Sequence, residues 1–565
     1  MHDTTKKLAH SSEFVNVPLD DGHLIIFHFY VKLSYRTFTK KQMSKEANVM
    51  IKRILLLTPP TASHRTAEET VALGYLGTIL RNDGYEVAII DSWLEGLSTE
   101  NLVSRIAIGA RPDLVGMSCY HSNLAQADET LNEIRKVAGN IPAICGGYGP
   151  TFHGEAFLQR GFTVAVIGEA EHVILPLVGA LSEKKELDTV SGITFYRGSE
   201  LVRTPCSDPV VALDEIRFPA RDTIRHAISQ RNYIHVCTSR GCKAHCNYCS
   251  VFSFALKGSA DLRWRQRGIV NIVDEIESLY DEYGVTHFKF VDDSFIEPPR
   301  DENWASSFCN ELARRRLSIK FRTQVRADRL TKGLVQTLKA AGWFSTSLGV
   351  ENASETALKR MRKSASVMDN ERALKLLTEN EIYITMGMIL FDPYTTMKEL
   401  QENLVFLKEH PWPITKGVFT EMYAAEGTAF THKLRKSGVL QPSIQRYRIQ
   451  DSKTYRMYEI LKRWHRAHSE TYDWIIDSLT APKVLQDKDY PVVHALCRRL
   501  QTYDCQFFEL ALAHVVQSTE SDADLHFTDE AIHMVHDVYH VLEKEIALVY
   551  RRNEIRYEAV PNPFL

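Results

Sequence analysis

The stretch YIHVCTSRGCKAHCNYCSV, residues 233–251, opens on a short apolar strand pattern and then places Cys242, Cys246 and Cys249 within eight residues. A strand running directly into a loop of thiols is the layout of an α/β unit whose chemistry stands at a strand C-terminal end. The Cys-x3-Cys-x2-Cys spacing wraps three thiolates around one small object, and iron–sulfur clusters are held by Cys thiolates. Three ligands on a four-iron cube leave one iron open. Structural zinc wants four closed ligands, and Cys237 or His245 would have to supply the fourth.

Strand and helix alternate from 231 to about 440, with strand patterns in YIHVCTS, VTHFKFVDDSF, IKFRTQVRAD, WFSTSLGVE, YITMGMILFD and KGVFTEMYAA. Repeated βα units of this length predict a complete or partial barrel of the TIM type, with its chemistry at the strand C-terminal ends. Upstream, the runs IKRILLLTPP, EVAIID, DLVGMSCY, PAICGGYG and VAVIGE alternate with helical stretches over 51–185. Such apolar strands predict a doubly wound, Rossmann-like parallel sheet covered on both faces. Residues 186–230 read as a hairpin and a Pro-punctuated linker. Residues 1–50 read as an N-terminal extension, and 441–565 as a helical C-terminal domain.

With 565 residues, 44% of them apolar, the chain can bury a large core in several domains. A net charge of −3 gives no global field for nucleic acid or an anionic membrane, so a small-molecule or peptide substrate is expected. No stretch approaches the ~20 apolar residues needed to span a bilayer, and the start lacks a signal-peptide core, so the expected location is cytoplasmic. Three of the ten cysteines crowded into one loop of a reduced protein indicate metal rather than a disulfide. His533, His536 and His540 share one helix face, but without a located carboxylate or cysteine partner that face reads as packing on the barrel or lining an entrance. The basic and aromatic run RMYEILKRWHRAHSETYDW reads as amphipathic packing rather than a nucleic-acid surface.

The CxxxCxxC loop, with Tyr248 before its last cysteine, resembles the radical S-adenosylmethionine (SAM) superfamily over about 231–440. The resemblance implies a [4Fe–4S] cluster on Cys242, Cys246 and Cys249, with SAM on the open iron. It also implies Tyr248 against the SAM adenine and Asp292 and Asp293 of FVDDSF at the SAM amino group. Arg326 of QVRAD and Glu351 of SLGVEN resemble SAM-pocket or substrate-facing positions. The residues alone leave open a helix cap for the paired aspartates, and an Arg326–Glu351 pair tying two strands. ILFDPYTT (Asp392, Pro393, Thr395) and AAEGTAF (Gly427, Thr428) resemble the fifth and sixth strand ends, in structural roles.

The doubly wound domain ahead of this barrel resembles the cobalamin (B12)-binding subgroup through SCYHSN, CGGYGPTF and VIGEAE. That implies a cobalamin site at Ser118, Tyr120, Gly146, Gly147, Gly168 and Glu169. The DxHxxG element is absent from the loop TPPTASHRTAEE: His64 lies outside the pattern, and Trp93 of DSWLEG stands where a histidine would be. The subgroup commonly binds cobalamin without a protein histidine. Together the resemblances imply a cobalamin-dependent radical SAM methyltransferase. It would methylate an unactivated carbon through methylcobalamin and a 5′-deoxyadenosyl radical, fed by an external one-electron donor such as flavodoxin or ferredoxin. Cyclisation, rearrangement or oxidation would use the same motifs. A non-catalytic cobalamin or Fe–S sensor would need only the binding motifs.

Overall fold

The apolar run after Ile51 becomes β1 (Arg53–Thr58), flanked in the sheet by β2 (Glu86–Asp91) and β3 (Leu114–Ser118). The computed structural model describes residues 50–555 apart from 62–67, 110, 256–261, 442–445, 481–482 and 519–521; the expected extension and His64 lie outside the described residues. The sheet continues through β4 (Ala143–Gly146) and β5 (Val164–Val166), all parallel. Side chains of β1 alternate between two apolar layers, Ile54 and Leu56 on one face and Leu55 and Leu57 on the other, which is why the strand is apolar throughout.

The hairpin expected in the linker belongs to this sheet. β6 (Ile193–Arg197) pairs antiparallel with β5, and β7 (Glu200–Arg203) pairs with β6, so the first domain runs past 185 to 203. Left unpaired, β5 would present an open edge of backbone N–H and C=O groups; the hairpin covers it.

The second sheet consists of β8 (Ile234–Val236), β11 (His287–Phe290), β12 (Lys320–Arg326), β13 (Trp343–Glu351) and β14 (Tyr383–Met388), parallel and in that spatial order. A two-stranded hairpin, β9 (Ser239–Gly241) with β10 (Trp264–Gln266), leads in and out of the cysteine loop. The barrel is partial. The expected sixth strand, KGVFTEMYAA, is no strand: near it only the isolated bridges Thr385–Ile414 and Phe391–Glu421 form. Pro413 brings no N–H to a ladder, and Gly417 turns the chain at φ +75°.

Residues of the barrel strands alternate in character. Phe321 and Val325 of β12 face the outer apolar layer with Phe288, Leu348 and Ile384. The intervening positions face inward, and cross-strand register sorts them into layers. The lowest holds His235, Lys289, Arg322 and Ser345; above it come Gln324, Ser347 and Thr385, then Arg326, Gly349 and Gly387.

Helices Ser452–Ala467, Ser469–Thr480, Tyr490–Gln517 and Asp522–Arg552 form the C-terminal domain. The Leu479 carbonyl accepts a 2.5 Å hydrogen bond from Arg322, closing the barrel floor, and the Tyr490 and Tyr233 hydroxyls meet at 2.9 Å. The amphipathic reading of RMYEILKRW is borne out by buried Met457, Leu461 and Trp464. His533, His536 and His540 instead face solvent, correcting their expected packing: this helix buries Ala531, Tyr539, Leu542, Ile546 and Val549. Among the described residues no three His, Cys, Asp or Glu side chains converge to hold a single metal ion, and no helix is long and apolar enough to cross a membrane.

Candidate active site

The strand C-terminal ends of both sheets line one cavity of about 500 Å³, within the usual range for small-molecule and cofactor sites. The first domain contributes all six of its predicted residues, Ser118, Tyr120, Gly146, Gly147, Gly168 and Glu169; the barrel side contributes His235, Cys237, Arg240 and Asp293. Gly147 has φ +98°, and a Cβ there would stand 2.9 Å from the Cys119 carbonyl oxygen, so only glycine lets these two loops approach. Gly146 is open: a Cβ there would meet nothing nearer than Val166 at 3.8 Å. A row of aromatic rings crosses the cavity: Trp93 to Tyr120 at 5.5 Å, Tyr120 to Tyr148 at 6.3 Å, Tyr148 to Phe254 at 4.7 Å.

Glu169 works differently from a simple ligand contact. Its carboxylate pairs with Arg265 at 2.5 Å and with Arg240 at 3.6 Å, while Arg240 also pairs with Glu171 at 2.6 Å. These cations flank the cysteine loop on β9 and β10, and they hold the Glu169 carboxyl below its usual range although burial opposes this. VIGEAE therefore clamps the first domain to the cysteine hairpin. Arg240 and Glu171 stand in the CTSRGC and VIGEAE motifs, but their pairing does not follow from the sequence.

The cysteine loop leaves β9 at Gly241, which has φ +85°; a Cβ there would lie 1.8 Å from the Arg263 carbonyl oxygen. The Gly241 N–H donates to Asp293 at 3.0 Å. The loop is held from beyond by Asn247, whose N–H donates to the Met361 carbonyl at 3.1 Å and whose carbonyl accepts from Phe430 at 2.8 Å. None of the ten cysteines is in a disulfide. Burial pushes the Cys242 thiol up to about 12 and raises Cys246 and Cys249 as well, so a bound cation is needed to hold them as thiolates. Arg326 Nη1 stands 4.0 Å from the Cys242 sulfur, and the Lys363 charge acts on Cys246.

Asp292 and Asp293 separate. Asp292 accepts from the Thr238 N–H at 2.7 Å and the Ser239 hydroxyl at 2.7 Å, meets Arg300 at 3.3 Å, and is 2% exposed. These bonds tie Asp292 to the turn after β8 and to Arg300. Asp293 lines the cavity, and burial, with Asp292 and Glu169 near, pushes its carboxyl up to about 6.

Arg326 and Glu351 do not pair with each other. Arg326 pairs with Asp328 at 2.7 Å and lies 3.7 Å from buried Glu297. Glu351 pairs with Lys363 at 3.0 Å, and its φ of +67° is strained for a non-glycine residue, as at many functional sites. Tyr248 packs in a small apolar cluster with Met361, Met422 and Phe430. Asp392 pairs with Arg360 at 2.8 Å, Thr395 bonds the Asp392 N–H at 2.8 Å, and Thr428 caps the helix Ala429–Lys436. Gly427 packs on Phe152. His245 meets Arg263, and the Cys237 sulfur meets the Ser239 carbonyl at 3.3 Å.

The donor set fits the groups that the resemblance implied: three thiols on one loop with Arg326 and Lys363 beside them for an iron–sulfur cluster, and a glycine cradle at sheet ends for cobalamin. The B12 binding domain pattern matches residues 60–178, and the radical SAM superfamily pattern matches residues 236–407. An uncharacterized methyltransferase of Pyrococcus horikoshii is 25% identical over 369 residues, 64% of this chain and 78% of that protein. The anaerobic magnesium-protoporphyrin IX monomethyl ester cyclase of Cereibacter sphaeroides is 29% identical over 353 residues, 59% of this chain but 55% of the cyclase. Among solved structures, the cobalamin-dependent S-adenosylmethionine radical enzyme OxsB with aqua-cobalamin and S-adenosylmethionine bound superposes with a TM-score of 0.70 at 18% identity, covering 90% of this chain and 82% of that one. The chain belongs to the radical SAM enzymes that carry a B12 binding domain ahead of the radical SAM domain, and those two domains imply cobalamin, SAM and a [4Fe–4S] cluster as its cofactors.

Proposed function

We propose that this enzyme methylates an unactivated carbon of a small-molecule or peptide substrate. The supporting observation is the shared cavity, in which the glycine cradle of the first sheet faces the barrel mouth rather than solvent. Bound there, the cofactors supply a hydrogen-abstracting radical and a transferable methyl group. The chain's own task is placement and exclusion of water. Cys242, Cys246 and Cys249 would hold the cluster, with Arg326 and Lys363 offsetting thiolate charge. Ser118, Gly146, Gly147 and Gly168 would receive cobalamin. Asp293 stands between the two sets and would take a cofactor amino group.

The similarity to the Pyrococcus methyltransferase extends over more of that protein than the similarity to the Cereibacter cyclase does, which favours methyl transfer. Ring formation is the second reading, favoured by the higher identity to the cyclase. Anaerobic reconstitution with iron and cobalamin, reduction, and addition of SAM without substrate separates them. S-adenosylhomocysteine at about one equivalent per bound cobalt, absent without cobalamin, is expected for the methyltransferase. 5′-Deoxyadenosine without S-adenosylhomocysteine would favour ring formation or another non-methylating reaction, and no cobalt binding would remove the reading of the first domain.

A further inference from the structure

Among the described residues, the barrel lumen contains one buried cation with no counter-ion. Arg322 is 3% exposed, and its guanidinium donates to Ser345 Oγ at 2.9 Å, the Leu479 carbonyl at 2.5 Å, Ser347 Oγ at 2.8 Å and Thr385 Oγ1 at 3.2 Å. All four acceptors are neutral. No carboxylate of the described residues lies within 4.0 Å of it. The neighbouring cations are matched: Lys289 by Glu68 at 2.6 Å, Arg326 by Asp328 at 2.7 Å and Lys363 by Glu351 at 3.0 Å. Glu68 is near enough to act on the Arg322 charge, but its carboxylate is shared by Lys289 and His235. Burial pushes Arg322 down only to about 10, so it is charged at neutral pH.

A buried charge without a partner is costly, and proteins normally pair it or let it bind a ligand. Space for a ligand lies directly above. Gln324 and Gly387 are exposed although both lie on the inner face of central strands. A Cβ on Gly387 would meet nothing nearer than the Leu348 carbonyl oxygen at 3.6 Å, so the glycine there leaves room rather than fitting a tight contact.

We propose that Arg322 anchors an oxyanion, a carboxylate or a phosphoryl group, at the inner end of a substrate that extends down the lumen. This rests on the active-site reading above. Ser345, Leu479, Ser347 and Thr385 engage the Nη protons and fix the guanidinium, so the anion meets its Nε–H and its unmatched charge, and the Gln324 amide offers a hydrogen bond part-way. Arg322 and Arg326 are four residues apart on one strand, about 13 Å. Since Arg326 faces Cys242 at the rim, the substrate is an extended molecule with its anion and its reacting carbon at opposite ends.

The test is saturation-transfer NMR on the full-length protein with its cluster rebuilt, without SAM, using propionate, methylphosphonate and neutral propionamide as probes. Propionate or methylphosphonate is expected to bind saturably and propionamide not, and the stronger of the two anions distinguishes carboxylate from phosphoryl. Arg322→Gln should weaken the anion at least tenfold. Ser347→Asp, which supplies the missing carboxylate beside the guanidinium, should abolish anion binding with unchanged circular dichroism and iron content; it carries the test if Arg322→Gln does not fold. Equal binding of propionamide, anion binding unchanged in the folded variants, or no anion binding by the unaltered protein overturns the proposal. Because SAM is absent, anion binding together with failed methyl loading would remove only the methyltransferase reading.

Discussion

The two parallel sheets meet with the same ends but use their faces in opposite ways. In the first, both faces of β1 are apolar and covered by helices, so its polar chemistry is confined to the loops beyond the strands. In the second, one face is apolar and the other lines a lumen with Lys289, Arg322, Gln324 and Ser347. An open doubly wound sheet can therefore offer only its edge to a ligand, on glycines, whereas a barrel can also read a ligand along its length. The first region suits a cofactor that is the same in every turnover; the second suits a substrate.

Three changes break that comparison most sharply when made at the cysteines. Cys242→Ala, Cys246→Ala or Cys249→Ala is expected to reduce bound iron to background and to abolish 5′-deoxyadenosine formation, while cobalt binding, which depends on the other sheet, persists. Iron and cobalt analysis of the same preparation checks both halves. Parallel loss of cobalt would mean that the two sites are one cooperative unit.

Filling the lumen comes next. Gly387→Leu has room for its Cβ and is expected to fold, yet it occupies the space above Arg322. Substrate turnover should fall about 100-fold, the scale of a small misplacement at a reacting centre, with substrate-free SAM cleavage retained. Equal loss of both activities would place the Gly387 side of the barrel at SAM instead.

The clamp between the sheets sets the third scale. Glu169→Gln strands Arg265, 9% exposed, without its carboxylate. Breaking a buried pair from one side costs about 3 kcal/mol, read as a lower denaturant midpoint. An unchanged midpoint would show that Arg240 and Arg265 find other partners and that the domains are held by packing alone.

Much of this was legible in the sequence. The unbroken runs of the first sheet and the thiol spacing each follow from one local requirement, two-sided burial or a shared ion. KFRTQVR also carries the two-residue alternation of a strand with one polar face. The roles of its arginines were not legible, because Arg322 is defined by Ser345, Ser347, Thr385 and Leu479, up to 157 residues away. Glu169 lines the shared cavity, but its partners Arg240 and Arg265 belong to another domain, which no local pattern in VIGEAE announces. Asp292 and Asp293 were indistinguishable as neighbours, since a strand end sends adjacent side chains to opposite sides.

Asp293 provides the smallest and most specific test, since it lies where the two regions meet. Its carboxyl is raised to about 6 in the folded protein, mainly by burial, against an ordinary value near 4 in the unfolded chain. Between those values the folded state holds a proton that the unfolded state has lost. Stability is therefore expected to decline as pH rises from about 4 to 6, by ~2–3 kcal/mol from this group, and to stay lower above that. Asp293→Asn removes the titration but keeps an acceptor for the Gly241 N–H. Measured on protein without cofactors, the difference in stability between Asp293→Asn and the unaltered chain should grow over that window, in favour of the variant. A difference that does not change with pH would mean that Asp293 is already ionised there, with Arg240 outweighing its burial, and the boundary between the two sheets would then be wetter than its packing indicates.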